Sequence, residues 1–119
     1  MDATRRAIEK AEGFLTLGMG LDAWETLEDL PAESKNDQRV LELRLECLCR
    51  ESSWEKAIML SESCTAALPK SAMALFWLAV ARCQLGDVNE ARKVLGRAVQ
   101  LDPSLRVRLI SEPLLEAIW

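Results

Sequence analysis

Near the C-terminal end, apolar residues recur at the spacing of one helical face. Between Val88 and Leu101, Ala91, Val94, Leu95 and Ala98 fall at i, i+3, i+4 and i+7, a pattern that predicts an amphipathic α-helix. Residues 72–85 ahead of it are apolar almost throughout, and Gly86-Asp87 separates the two segments. Two helices joined by a tight turn are expected. Ser71 stands where an N-cap belongs, Gly86 supplies the left-handed residue that ends the first helix, and Asp87 with Glu90 forms a capping-box start for the second. Upstream, Leu41, Leu45 and Leu48 mark another helical stripe. Pro31 after Leu30 stops an earlier helix short, so residues 30–37 read as a loop into a helix capped by Asn36 or Asp37. After Pro103, Ser111 or Glu112 before Pro113 opens a fresh helix. Its apolar Leu114, Leu115, Ile118 and Trp119 are expected to cover the end of the preceding pair.

The pattern also has a period. Ala23, Ala57 and Ala91 stand 34 residues apart, and Pro69 and Pro103 keep the same step. Frames of that length cover residues 4–37, 38–71 and 72–105, leaving a tail at 106–119. A fixed period in this range marks stacked helical units that bury their apolar faces only against a neighbour, with the terminal unit capped. An all-α chain built as a binding scaffold is the expectation.

The third frame resembles the tetratricopeptide repeat. Leu78 and Ala79 stand at the family's Leu-Gly pair and Gly86-Asp87 at its turn; Ala91, Leu95, Ala98 and Pro103 stand at its second-helix positions and closing proline. The second frame keeps Ala57, places Trp54 at the opening of its second helix and puts Cys64 at the second small position. It departs at Arg44, where a core leucine is usual, and at bulky Leu45. The first frame keeps Ala11, Phe14, Gly18, Ala23 and Leu27 but has Lys10 at the core leucine. The resemblance implies one domain over residues 1–119: a right-handed helical-hairpin solenoid of three repeats with a capping helix at 106–119. It also implies a concave groove, lined by the first helix of each repeat, that holds an extended peptide or a partner's helix. Carried over by position, Ile8 and Glu12, then Arg39, Glu42 and Glu46, then Met73, Phe76 and Val80 line that groove, with Trp77 at its border. For Phe76 and Trp77 a core position is the alternative, since a continuous apolar run does not say which residue faces inward. One subclass of the family clamps a C-terminal carboxylate with lysine and asparagines. This chain offers Ile8, Glu12, Leu43 and Met73 there, and no such clamp is expected.

Composition narrows the chemistry. The 119 residues are 50% hydrophobic and include no histidine, which removes Ser-His-Asp and Cys-His catalysis and histidine metal sites. Gly18-Met19-Gly20 lacks the rest of a phosphate-binding fingerprint. Cys47-Leu48-Cys49 has the wrong spacing for a zinc knuckle. Cys47 and Cys64 read as core filler, and the other two cysteines as partly exposed. Neither enzyme activity, cofactor nor metal is expected. The net charge of −4 opposes nucleic acid, and the longest apolar run, residues 72–81, is far short of the roughly 20 residues that span a bilayer. The charged N-terminal residues lack a secretory h-region, so a cytoplasmic location with reduced thiols is the default expectation.

The leading reading is a non-enzymatic adaptor or chaperone-like module for a segment of another protein, with a secretion-type chaperone as a variant. Charge distribution supplies a second. Residues 1–37 hold four Lys/Arg against nine Asp/Glu, and residues 72–119 six against five. Acidic Asp22, Glu25, Glu28, Asp29 and Glu33 of one copy are then placed to meet Arg92, Lys93, Arg97, Arg106 and Arg108 of another, as a self-assembling scaffold. Thiol or metal chemistry at the cysteines is a third reading.

Overall fold

The 34-residue step is written into the backbone. In the computed structural model, which describes residues 2–67 and 70–119, Gly18 (φ 76°), Ser52 (φ 58°) and Gly86 (φ 90°) all occupy the left-handed region. Each ends a helix with the same two hydrogen bonds. The N–H groups of Met19, Ser53 and Asp87 donate to the carbonyls of Phe14, Leu48 and Arg82 at 2.8, 2.8 and 2.9 Å. Those of Gly18, Ser52 and Gly86 donate to Leu15, Cys49 and Cys83 at 3.0, 3.2 and 3.0 Å. This double closure satisfies carbonyls that the helix end leaves open, and it requires a left-handed residue at its corner. Gly18 therefore serves a turn, and Gly20 two residues on begins the next helix. The expected proline step is seen at Pro103 alone, because Pro69 lies outside the described residues.

The described elements are all helical. They run α1 (Ala3–Thr16), α2 (Gly20–Glu28), a 3₁₀ helix (Ala32–Asn36), α3 (Gln38–Arg50), α4 (Trp54–Ala67), α5 (Ala72–Gln84), α6 (Val88–Leu101), α7 (Leu105–Ser111) and a C-terminal 3₁₀ helix (Pro113–Ile118). Consecutive helices pack side by side from α1 to α3 and again from α4 to α7, the arrangement of a tetratricopeptide-like helical repeat. The predicted caps meet two outcomes. Asp37 accepts from the N–H groups of Arg39 and Val40, and Ser71 from that of Ala74. Asp87 makes no side-chain cap to α6, so the expected capping box does not form; the Schellman closure already engages its backbone N–H.

Two compact units divide the chain, Met1–Ser53 and Trp54–Trp119, with the boundary in the turn between α3 and α4. In the first, α1, α2 and α3 pack pairwise around Ala11, Ala23, Leu27, Leu30, Val40, Leu43 and Cys47. Short α2 ends before Pro31, as its sequence predicts, and the stretch read as a loop makes a 3₁₀ turn. The two consensus departures in α3 have separate explanations. Leu45 is fully buried, whereas the Arg44 guanidinium lies 5.1 Å over the Trp24 ring and pairs with Glu28 at 3.0 Å. An arginine thus covers apolar surface with its stem and plane while keeping its charge partnered.

In the second unit α5 is central, packed against α4, α6 and the C-terminal 3₁₀ helix. Ala57, Ala91 and Ala98 are fully buried, as small residues at close helix crossings must be. Ser61 stands 34 residues from both Leu27 and Leu95, and its buried hydroxyl has no hydrogen-bond partner among the described residues. The tail covers the end of this unit as expected, but with only part of its apolar stripe. Leu115 and Ile118 are buried and Leu114 is half-buried, whereas Trp119 is 68% exposed. Glu112 caps the 3₁₀ helix through the Leu114 N–H. Gln84 Nε2 donates to the Leu114 carbonyl at 2.7 Å, and Arg92 donates twice to the Ile118 carbonyl at 3.1 and 3.0 Å.

Candidate functional site

The nine residues expected in a groove separate by unit. Ile8, Glu12, Arg39, Glu42 and Glu46 lie on α1 and α3 of the first; Met73, Phe76, Trp77 and Val80 lie on α5 of the second.

In the first unit the charged members come together. The Arg39 guanidinium donates to Glu12 Oε2 across α1 and α3, with Nη2 at 2.8 Å and Nε at 3.2 Å. Its Nη1 lies 3.5 Å from Glu42, one turn along α3. Glu42 is buried, and Gln38 Nε2 also donates to it at 3.0 Å. A buried carboxylate needs such donors, because desolvation otherwise disfavours its charge. Glu46 lies 3.8 Å from Arg50 and is half-buried. Ile8 is also half-buried and packs against the core cluster. The accessible face of α1 and α3 is therefore of mixed charge, with a cross-helix Glu12–Arg39 pair at its middle. Sequence position placed these residues on one surface but gave no hint of that pair, since Glu12 and Arg39 are 27 residues apart.

In the second unit, burial corrects part of the expectation. Met73 is half-buried, but Phe76, Trp77 and Val80 are fully buried and present no surface to a partner as packed. The Phe76 and Trp77 rings meet edge to face with centroids 5.1 Å apart. The Arg108 guanidinium of α7 covers both, 5.6 Å and 5.2 Å from their centroids. The physical reason is the composition of α5. Residues 72–81 carry no charge, and a helix without a polar face is stable only when surrounded.

All four cysteines are buried, including Cys49 and Cys83, which were expected to be partly exposed. Burial, helped by nearby Glu46, pushes the Cys47 thiol up to about 12, and burial also raises that of Cys83. Thiols so held are protonated and poorly nucleophilic. Among the described residues no three Cys, Asp or Glu side chains gather as a metal-holding group, and no helix is long and apolar enough to cross a membrane.

Residues 72–105 match the family described as tetratricopeptide repeat. The match spans α5, its turn and α6, the frame whose residues carry the resemblance most fully, and it supports that resemblance. Repeats of this family typically serve protein–protein interaction. No curated protein matches the chain.

Proposed function

We propose that this protein is a non-enzymatic interaction module that binds a segment of another protein, as an adaptor or a chaperone-like subunit, in the cytoplasm. The match of residues 72–105 to an interaction repeat carries this reading. Partner contact falls to the groove positions of the first unit with accessible surface: Ile8, Glu12, Arg39 and Glu46 on α1 and α3. Beneath them, buried Glu42 holds Arg39 in place.

Carboxylates outnumber guanidinium groups on the α1–α3 face, so the partner segment favoured is one with basic side chains spaced by apolar anchors. Such a segment offers donors to Glu12 and Glu46, and an apolar residue to Ile8. Selection of displayed random peptides against the purified chain tests this. Enriched sequences should combine Lys or Arg with apolar residues, and Glu12→Lys should weaken their binding roughly tenfold by replacing attraction with like-charge repulsion. The same variant should keep its helical circular dichroism, since Glu12 is partly exposed. Enrichment of no sequence, or binding indifferent to both Glu12→Lys and Glu46→Lys, would sink the reading.

A further inference from the structure

Each unit ends in an exposed surface that the groove reading does not use, and the two are complementary. At the C-terminal end, Leu95, Val99, Leu109, Ile118 and Trp119 line an open apolar cleft with Arg92 at its edge. Lys93 and Arg97 lie beside it along α6 and Arg106 on α7, all exposed and without an ion-pair partner among the described residues. Apolar side chains around an open cleft, with exposed cations on the two helices that form it, favour an occupant with apolar knobs and acidic flanks.

The chain carries such an occupant at its other end. Leu17 in the α1–α2 turn is 73% exposed, and Leu21 at the start of α2 is 58% exposed. Directly behind them, Asp22 and Glu25 on α2 and Asp29 just past its end form an exposed stripe at i, i+3 and i+7, also without ion pairs among the described residues. Acid and apolar contact are thus offered by adjacent residues of one short helix.

We propose that the α6–α7 end of one copy receives the α1–α2 end of a second. Leu17 and Leu21 enter the cleft against Val99 and Trp119, while Asp22, Glu25 and Asp29 face Lys93, Arg97 and Arg106. The contact joins two different surfaces, so each copy carries both halves of it. Apolar burial supplies adhesion, and the opposed charges set which ends meet and how fast.

Sedimentation velocity across concentration and ionic strength tests the contact, with two double variants, Asp22→Lys/Glu25→Lys and Arg97→Glu/Arg106→Glu. The wild type should associate at low ionic strength and dissociate as salt rises. Each double variant alone should associate roughly tenfold more weakly or less, because its two ends then carry like charge. An equimolar mixture of the two should regain association, since the first variant's intact basic end meets the second's intact acidic end. Trp119→Ala, at an exposed position outside the charge pattern, should weaken the wild-type contact without loss of helical signal. The proposal is overturned by a wild type that stays monomeric at low salt, by association that the reversals leave unchanged, or by a mixture that does not regain it. Peptide binding at Glu12 is read separately, so failure here leaves the groove reading standing and the reverse.

Discussion

Ser52 occupies a conformation in which its two counterparts are glycine. An L-residue in the left-handed region costs roughly 1–2 kcal/mol, part of which glycine returns through its greater freedom in the unfolded chain. Ser52→Gly should therefore raise stability by about 0.5–1 kcal/mol, read as a higher urea midpoint at unchanged slope. Cys47 gives a second expectation. Its thiol ionises at about 12 when folded against 9.0 for the free group, so the folded state retains a proton that the unfolded state has lost between those values. Stability contributed by this site is whole below pH 9 and declines as pH rises toward 12. Cys47→Ala should flatten that part of the alkaline unfolding curve, and the wild-type thiol should resist alkylation at pH 8 until denaturant is added.

Among the elements, the C-terminal 3₁₀ helix shows most directly what a helix-period reading can and cannot give. The stripe Leu114, Leu115, Ile118 and Trp119 announced a cover, and Glu112 before Pro113 announced its start. A stripe read at helical spacing assigns all four to one face; the tighter 3₁₀ winding turns Trp119 outward while Leu115 remains fully buried. Leu115→Ala should consequently cost about 2–5 kcal/mol in chemical denaturation, as large-to-small changes in a closed site do. Trp119→Ala should change stability by no more than about 0.5 kcal/mol. Equal losses from the two substitutions would contradict this account of the cap. For α5 the lack of charge was legible, and its consequence, burial on all sides, follows from that alone. Of the two positions open to Phe76 and Trp77, groove and core, burial selects the core, and Val80 lies there with them.

The whole molecule is electrically polar along its sequence, from a net −5 over residues 1–37 to +1 over residues 72–119. Exposed charges interact over a Debye length of about 30 Å at 0.01 M salt and about 3 Å at 1 M. Association through the two ends should accordingly be lost within that range if charge selects the contact, whereas purely apolar association would survive or strengthen at high salt. Light scattering at fixed concentration across the same series distinguishes these outcomes.

The sequence by itself determined the helical class, the 34-residue step, the caps at Asp37 and Ser71, the early end of α2 and the buried alanines. Apart from the 34-residue step, which is a plain recurrence, each of these depends on residues within a few turns of one another, where helix geometry converts spacing directly into a face, a cap or a stop. Only the tertiary structure decided the Glu12–Arg39 pair, the seat of Arg44 on Trp24, the cover of Arg108 over Phe76 and Trp77, and the outward turn of Trp119. The first three join residues far apart in the chain, and the last depends on a change of helical winding. No local periodicity encodes which long side chain will find which partner, because that choice is made by the packing of helices against one another.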